Sequence, residues 1–352
     1  MRSDTVGPGT EKPISDRDLN ILFTCVGRRV MLLEAFRRAM TKLGVTGKLI
    51  AADRTSAASA FHIADVGETV PLVGRVEYVP ALLDLVKRHH VGLVVPLTDL
   101  DLRSLARQAG KFANLGCTIM VGSEPDIKLC RDKARSNELF GEAGLEKTRT
   151  CTLREFRTEP FYPCFVKPVR GSASIGTGII RNEHELKAHV ATFGELLVVQ
   201  ECLGGQEFTI DVYRDRQGQV RCVVPRQRLT VRGGEVAKAI TVKDDELIDA
   251  AIKLSGLLGD LWGVFCCQCR RSPGGRARFF EINPRFGGGA PLSIAAGADL
   301  PSYLLQEVLG LPITAEVGNF TENLLMLRYD GIVFAQADDK ESLPGFRIPE
   351  LV

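Results

Sequence analysis

The stretch Phe279-Phe280-Glu281-Ile282-Asn283 sets a carboxylate and an amide, two residues apart, inside an otherwise apolar run. Side chains of an extended chain alternate between faces, so Glu281 and Asn283 share one face and Phe280 and Ile282 the other. A carboxylate in such a strand is costly to bury unless it is paired or binds a metal. The run therefore demands a counter-ion or a cleft, and no other feature of the chain constrains the fold as tightly.

A second apolar run, residues 264–270, precedes it, with Ser272-Pro273-Gly274-Gly275-Arg276 between the two. Gly-Gly is a favoured two-residue hairpin loop. With Pro273 paired to Arg276, Gln268 falls opposite Glu281 and Cys266 opposite Asn283. Directly paired residues project to the same side. One patch then gathers a carboxylate and two amides, the oxygen donors that magnesium takes. Phe280, Ile282, Cys267 and Cys269 fall on the other face and read as core. Two readings of Glu281 stand: a metal ligand, or a buried ion pair with Arg285. A register slip of one residue would send Gln268 to the core face.

Upstream, residues 161–169 read as a strand with Lys167 inside it, and Ile179-Ile180 as another. The Gly/Ser-rich turn between them, residues 170–178, offers backbone N–H groups and hydroxyls to phosphates, with a lysine at its stem. It is no Walker A loop, in which the lysine follows the glycines at the start of a helix. A structural hairpin is the alternative. Residues 196–203 read as a strand running into Gly204-Gly205. In the next strand Glu207, Thr209 and Asp211 share one face, either solvated or the floor of a cleft, and Glu207 has the oxygens to hold both ribose hydroxyls. Residues 125–144 read as one helix containing Asp132-Lys133.

The first hundred residues alternate short apolar runs with amphipathic helical patterns: a strand at 21–26, Gly27, a helix to Gly44, then a strand ending at Asp53. That order is Rossmann-like. The GxGxxG fingerprint of dinucleotide binding is absent. At the Gly27-Arg28-Arg29 turn, one reading puts a pyrophosphate at the helix start with Arg28 helping, and the other leaves a tight turn with solvent-facing arginines. Asp99 and Asp101 follow the strand at 93–96, placed to reach a substrate or to cap the next helix.

Charge and cysteines narrow the class. A formal net charge of +2, with acids and bases interleaved, lacks the basic stripe of a nucleic-acid binder. The cluster Arg226, Arg228 and Arg232 suits a small anionic ligand. The ten cysteines show no paired CxxC spacing and include the close set Cys266, Cys267 and Cys269. They read as buried small hydrophobes in a reducing, cytoplasmic setting, with no catalytic part. No stretch reaches the roughly 18 apolar residues of a membrane span, and residues 1–20 lack a signal peptide's apolar core.

Taken together, these segments resemble the ATP-grasp enzymes, in the manner of free-standing relatives of the carbamoyl-phosphate synthase large subunit. Residues 279–289 resemble that family's Glu-x-Asn-x-Arg signature, and the resemblance covers about residues 21–310. It implies magnesium, with manganese as a substitute, on Gln268, Glu281 and Asn283. It implies ATP phosphates on Lys133, Lys167 and the loop at Gly171, Ser172 and Gly176. It further implies adenine on Gln200, Glu201, Cys202 and Leu203, ribose on Glu207, and the transferring phosphate on Arg285. The stretch bearing Arg228 lies at the acceptor end in such relatives, and Arg228 joins Arg285 and Lys167 as a catalytic candidate.

The expected fold is α/β and α+β: a Rossmann-like pre-ATP-grasp domain at 21–125, then an ATP-grasp domain at 126–310 with a mobile lid at about 160–200. Residues 1–20 are expected as a flexible tail and 311–352 as a C-terminal extension. The expected function is an ATP- and magnesium-dependent ligase joining a small-molecule carboxylate to an amine, cytoplasmic, homodimeric, with no nucleic-acid or membrane partner. A carbamate- or carboxyphosphate-type phosphorylation and a non-catalytic ATP-binding protein are the alternatives. One grasp unit without a visible repeat or glutamine-splitting domain argues against a complete carbamoyl-phosphate synthase. The missing fingerprint argues against an oxidoreductase.

Overall fold

The alternating pattern after residue 20 builds a parallel sheet in the computed structural model, which describes residues 17–169 and 176–336. Its strands are β1 (Asn20–Thr24), β2 (Leu49–Asp53), β3 (Val66–Thr69), β4 (Val91–Pro96) and β5 (Thr118–Ile119), in the order β3-β2-β1-β4-β5. Helices α1 (Val30–Leu43), α2 (Tyr78–Arg88) and α3 (Leu102–Ala113) connect them. Strands β1 and β4 are apolar on both sides because both faces are covered. Leu22 and Val94 pack with Leu82 of α2 and Leu105 of α3, while Phe23 and Val95 pack with Leu32 and Phe36 of α1. Strand order reverses between β1 and β4, and ligand crevices open beyond the carboxyl ends of strands at such a point.

Residues 125–144, expected as one helix, form two: α4 (Glu124–Arg131) and α5 (Lys133–Glu142). Asp132 separates them. Its backbone is extended and its carboxylate accepts from the amides of Ala134 and Arg135, so it caps α5 and sets Lys133 at the first helical position.

A small antiparallel sheet follows. It comprises β6 (Thr150–Thr152), β7 (Cys164–Pro168), β8 (Gly178–Ile180) and β9 (Leu197–Glu201), in the order β6-β9-β7-β8, with α6 (Leu153–Thr158) and α7 (Glu183–Phe193) against it. Its apolar side chains, among them Phe156, Val166, Leu186 and Val199, form a core of their own.

The large antiparallel sheet has the order β14-β13-β10-β11-β12-β15. Its members are β10 (Gln206–Arg214), β11 (Val220–Arg232), β12 (Glu235–Thr241), β13 (Gly263–Arg271), β14 (Arg278–Asn283) and β15 (Leu325–Leu327). Helices α8 (Asp245–Ser255), α9 (Ala290–Ala295) and α10 (Leu300–Val308) complete it. Phe208, Ile210 and Val212 of β10 belong to the same buried cluster as Leu22 and Val94, so this sheet and the parallel sheet share a core. Strand β15 lies in the segment expected as an extension, yet it pairs with β12. Among the described residues no helix is long and apolar enough to cross a membrane. All ten cysteines are free.

The β13–β14 pairing agrees with the expected register where it matters and departs beyond it. Gln268 pairs with Glu281 and Cys266 with Asn283, but a bulge after Gln268 shifts the remainder, pairing Cys269 with Phe279. The connection is wider than a Gly-Gly loop: the strands end at Arg271 and resume at Arg278, around a Gly275 N–H to Ser272 carbonyl bond of 3.0 Å. The expectation that Phe280 is core is therefore corrected. A bulge places an extra residue on one strand and re-aims its side chains, so Phe279 is fully buried while Phe280 turns to the cleft beside Glu281.

Candidate functional site

A cleft of about 780 Å³ lies where the two antiparallel sheets and the carboxyl edge of the parallel sheet meet. Ligand sites of a few hundred cubic ångströms upward hold a nucleotide-sized molecule. Of the candidates read from the sequence, Lys133, Lys167, Gln200, Glu201, Cys202, Leu203, Glu207, Arg228, Gln268, Glu281, Asn283 and Arg285 all line it. Gly171 and Ser172 lie outside the described residues.

At one end Lys167, from β7, is 5% exposed. Its ammonium stands 3.5 Å from the Phe280 carbonyl and 5.9 Å from the centre of that ring. Burial pushes its pKa down to about 7; Glu281 opposes the fall and Lys133 adds to it. Gly176, at φ +69°, has its carbonyl 3.1 Å from His189 Nε2, and a Cβ there would come 2.9 Å from Pro168. The β9 hinge is fixed by its own polar groups. Gln200 Nε2 donates to Thr150 Oγ1 (2.8 Å), Glu201 accepts from the Arg149 amide (2.7 Å), and the Leu203 carbonyl accepts from Arg270 (3.2 Å). Glu207 and Thr209 line the cleft, while Asp211 on the same face is fully buried against Arg226 and does not line it. Both Glu207 oxygens already hold cations, Arg228 at 2.6 Å and Arg270 at 2.5 Å. Each oxygen keeps a further lone pair for a hydroxyl.

Of the two readings of Glu281, the structure bears on the ion pair. Arg285 does not pair with Glu281. Its Nη2 lies 2.7 Å from Asp99 Oδ2 and donates a longer bond, 3.3 Å, to Asn283 Oδ1. Burial works against the Arg285 charge, but Asp99 outweighs it and holds the guanidinium more firmly protonated than usual. Glu281, on the cleft wall, makes no ion pair of 4.0 Å or less among the described residues. Its neighbour is Gln268, whose amide nitrogen donates to Glu281 Oε2 at 2.9 Å and whose oxygen accepts from Arg228 at 3.1 Å in the orientation that satisfies both groups. A carboxylate in no direct ion pair among the described residues, next to an amide oxygen with one long bond, is a donor set of the kind a divalent cation takes. Gln268 stands behind them, orienting Glu281 and reaching a cation only by turning its oxygen from Arg228.

The basic cluster behaves differently from the expectation of free cations. Arg226 is 1% exposed and spans both oxygens of Asp211, at 2.8 and 3.0 Å, and Ser293 also donates to that carboxylate (2.6 Å). Arg228 is committed to Glu207, and Arg232 is exposed outside the cleft. Asp99 reaches the cleft as one reading had it. Asp101 does neither thing expected of it: its carboxylate is buried against Thr24 Oγ1 (2.6 Å) and Tyr78 Oη (2.8 Å) and caps nothing.

The first-domain arginine in the cleft is Arg29, whereas Arg28 points outward with its side chain 81% exposed. Side chains of adjacent residues at a helix start point in different directions, and the sequence does not say which one faces the crevice. Asp53, at the position where dinucleotide folds hold ribose, accepts from the Gly27 amide at 2.9 Å.

Three family models match parts of the chain. Residues 21–120 match a model described as PylC-like, N-terminal domain. Residues 137–232 match D-ala D-ala ligase C-terminus, and residues 193–330 match ATP-grasp in the biosynthetic pathway with Ter operon. The carbamoyl phosphate synthase large chain of Thermotoga maritima is 26% identical over 261 residues, 66% of this chain and 23% of its own length. The chain thus spans about a quarter of such relatives. The formate-dependent phosphoribosylglycinamide formyltransferase of Synechococcus sp. is 27% identical over 289 residues, 76% of this chain and 70% of its own. Among solved structures, the biotin carboxylase domain of Hydrogenobacter thermophilus 2-oxoglutarate carboxylase, in complex with MgADP and bicarbonate, superposes with a TM-score of 0.69 at 19% identity, covering 87% of this chain and 73% of that one.

Proposed function

We propose that this chain is an ATP-grasp enzyme, an ATP- and magnesium-dependent ligase that activates a small-molecule carboxylate as an acyl phosphate and passes it to an amine. One observation carries the reading: a single cleft lines up a buried lysine, a carboxylate in no direct ion pair among the described residues, and a carboxylate-held arginine.

The chemistry follows from that order. Lys133 and Lys167 bind the phosphates, and the β9 hinge and Glu207 hold adenine and ribose. Glu281 and Asn283 would hold magnesium, with manganese as a substitute; when bound, it supplies charge compensation for the phosphate oxygens. Arg285, fixed by Asp99, faces the phosphoryl group in transit, where a preorganised cation is worth most. An oxygen of the substrate carboxylate attacks the γ-phosphorus and the bond to ADP breaks. The amine then attacks the acyl carbon, loses a proton, and phosphate leaves. The small sheet, residues 150–201, is the lid that excludes water during the life of the acyl phosphate.

Phosphate release from ATP, measured across a library of carboxylates and amines, tests the assignment. Bicarbonate heads the library, since the carbamoyl phosphate synthase relatives favour a carboxyphosphate-type first step as the second reading. Turnover that depends on a carboxylate, an amine and magnesium is the expected result. Binding of NAD in preference to ATP, read by calorimetry, would overturn the reading.

A further inference from the structure

The acceptor end of the cleft holds more guanidinium than carboxylate. Arg226 is matched by Asp211, Arg228 by Glu207 and Arg285 by Asp99. Glu235 is shared by Arg28 at 3.5 Å and Arg328 at 2.6 Å. Arg29 is left over: among the described residues its side chain has no hydrogen bond and no ion pair, although it lines the cleft.

Its surroundings do not relieve the charge. Burial, and then the like charge of Arg285, lower its pKa to about 10 against the pull of Glu235. Arg29 is half-buried, so it has lost part of its hydration, and among the described residues no carboxylate within ion-pair distance replaces it. Two features aim it at a ligand. Arg29 is the residue before α1, which starts without a side-chain cap and without an acid in its first turn, so nothing local competes for an anion there. Its Nη1 also passes close to Gly288, where a Cβ would come within 3.2 Å. Glycine leaves the guanidinium its path along the wall three residues beyond Arg285.

We propose that the substrate carries a second anionic group, a carboxylate or a phosphate, besides the carboxylate that is activated, and that Arg29 binds it. The inference rests on the reading of the cleft as a carboxylate-activating site. Arg285 serves the reacting group beside Asn283. Arg29 comes from the other domain and serves the distant anion, so a bound substrate ties the parallel sheet to the grasp sheet. An uncharged substrate would leave the guanidinium desolvated and unpaired, and is selected against.

Calorimetric titration of the full chain, with and without MgADP, compares acetate with succinate, glutarate and phosphonoacetate. The last three each add a second anionic group, and the phosphonate arm separates a phosphate-type partner from a carboxylate-type one. At least one of the three is expected to bind tenfold more tightly than acetate, about 1.4 kcal/mol. Arg29→Gln is expected to abolish that gap and leave MgADP affinity unchanged. Arg29→Lys, which keeps the charge but not the fork, retains part of the gap and serves where the glutamine variant fails to fold. Arg28→Gln leaves the gap whole. No gap in the wild type, or a gap that survives removal of the Arg29 guanidinium, overturns the proposal. MgADP affinity is read in the same titrations, so a protein that binds no nucleotide sinks the ligase reading and this one with it, whereas one that binds MgADP but shows no gap sinks this one alone.

Discussion

Lys167 and Glu281 carry opposite charges near each other, and their burial differs enough to give each its own signature. Lys167 sits at about 7 without nucleotide, far below the usual range near 10.4. Its folded pKa is below its unfolded one, so the cost of burying the ammonium is fully present below pH 7 and is relieved as pH rises toward the unfolded value. Nucleotide phosphates favour the ammonium. Binding of an ATP analogue at pH 8 should therefore take up close to one proton, fading below pH 6. Calorimetry in buffers of different ionisation enthalpy measures it, and Lys167→Met should remove the uptake. Glu281→Gln keeps shape and loses charge. Turnover is expected to fall on the order of 10²- to 10³-fold, with melting temperature unchanged because no ion pair among the described residues is broken. Full magnesium-dependent turnover in that folded variant would contradict the assignment of Glu281. Glu281 and Asn283 were legible as a pair because period-two alternation is local. Arg285's true partner was not, because Asp99 lies 186 residues away in the chain.

At the scale of elements, two breaks in regular structure place the chemistry. The β14 bulge turns Phe280 and Glu281 together toward the cleft. The Asp132 kink divides α4 from α5 and brings Lys133 to a helix start beside the phosphate end. Replacing Asp132 with alanine removes both capping bonds. Stability should fall by about 1 kcal/mol, read by urea unfolding, and ATP affinity should weaken as Lys133 loses its anchor. An unchanged midpoint together with unchanged affinity would show that Lys133 is placed by other contacts. Neither break was visible beforehand. A hydrophobic pattern continues across a single extended residue, and a hairpin's register fixes which residues pair only up to the first bulge.

For the whole molecule, the Asp99–Arg285 pair joins the carboxyl edge of the parallel sheet to the end of β14, the strand that carries Glu281 and Asn283. Both side chains are largely buried, and one Asp99 oxygen has no hydrogen-bond partner among the described residues. Asp99→Asn leaves Arg285 desolvated without its counter-ion. The loss should be on the order of 3 kcal/mol in unfolding free energy, and under the role proposed for Arg285 turnover should fall more than ATP binding. Equal stability of variant and wild type would show that solvent reaches the pair. The core shared by these two sheets predicts that they unfold together. The small sheet, with its own core, is the unit free to open separately, which hydrogen exchange would register as a lower local opening free energy.

The sequence by itself determined what depends on neighbours along the chain: the strands and helices of the first domain, the shared face of Glu281 and Asn283, the pairing of Gln268 with Glu281, and the place of Lys167 inside a strand. These follow from side-chain period and turn chemistry, which act over a few residues. Only the tertiary structure decided that Arg29 rather than Arg28 enters the cleft, that Arg226 and Arg228 are consumed by Asp211 and Glu207, and that β15 returns to the grasp sheet. Each of these turns on which charges are left without water and which partner reaches them first. That is a property of the packed molecule, because desolvation and long-range pairing exist only once distant segments have been brought together.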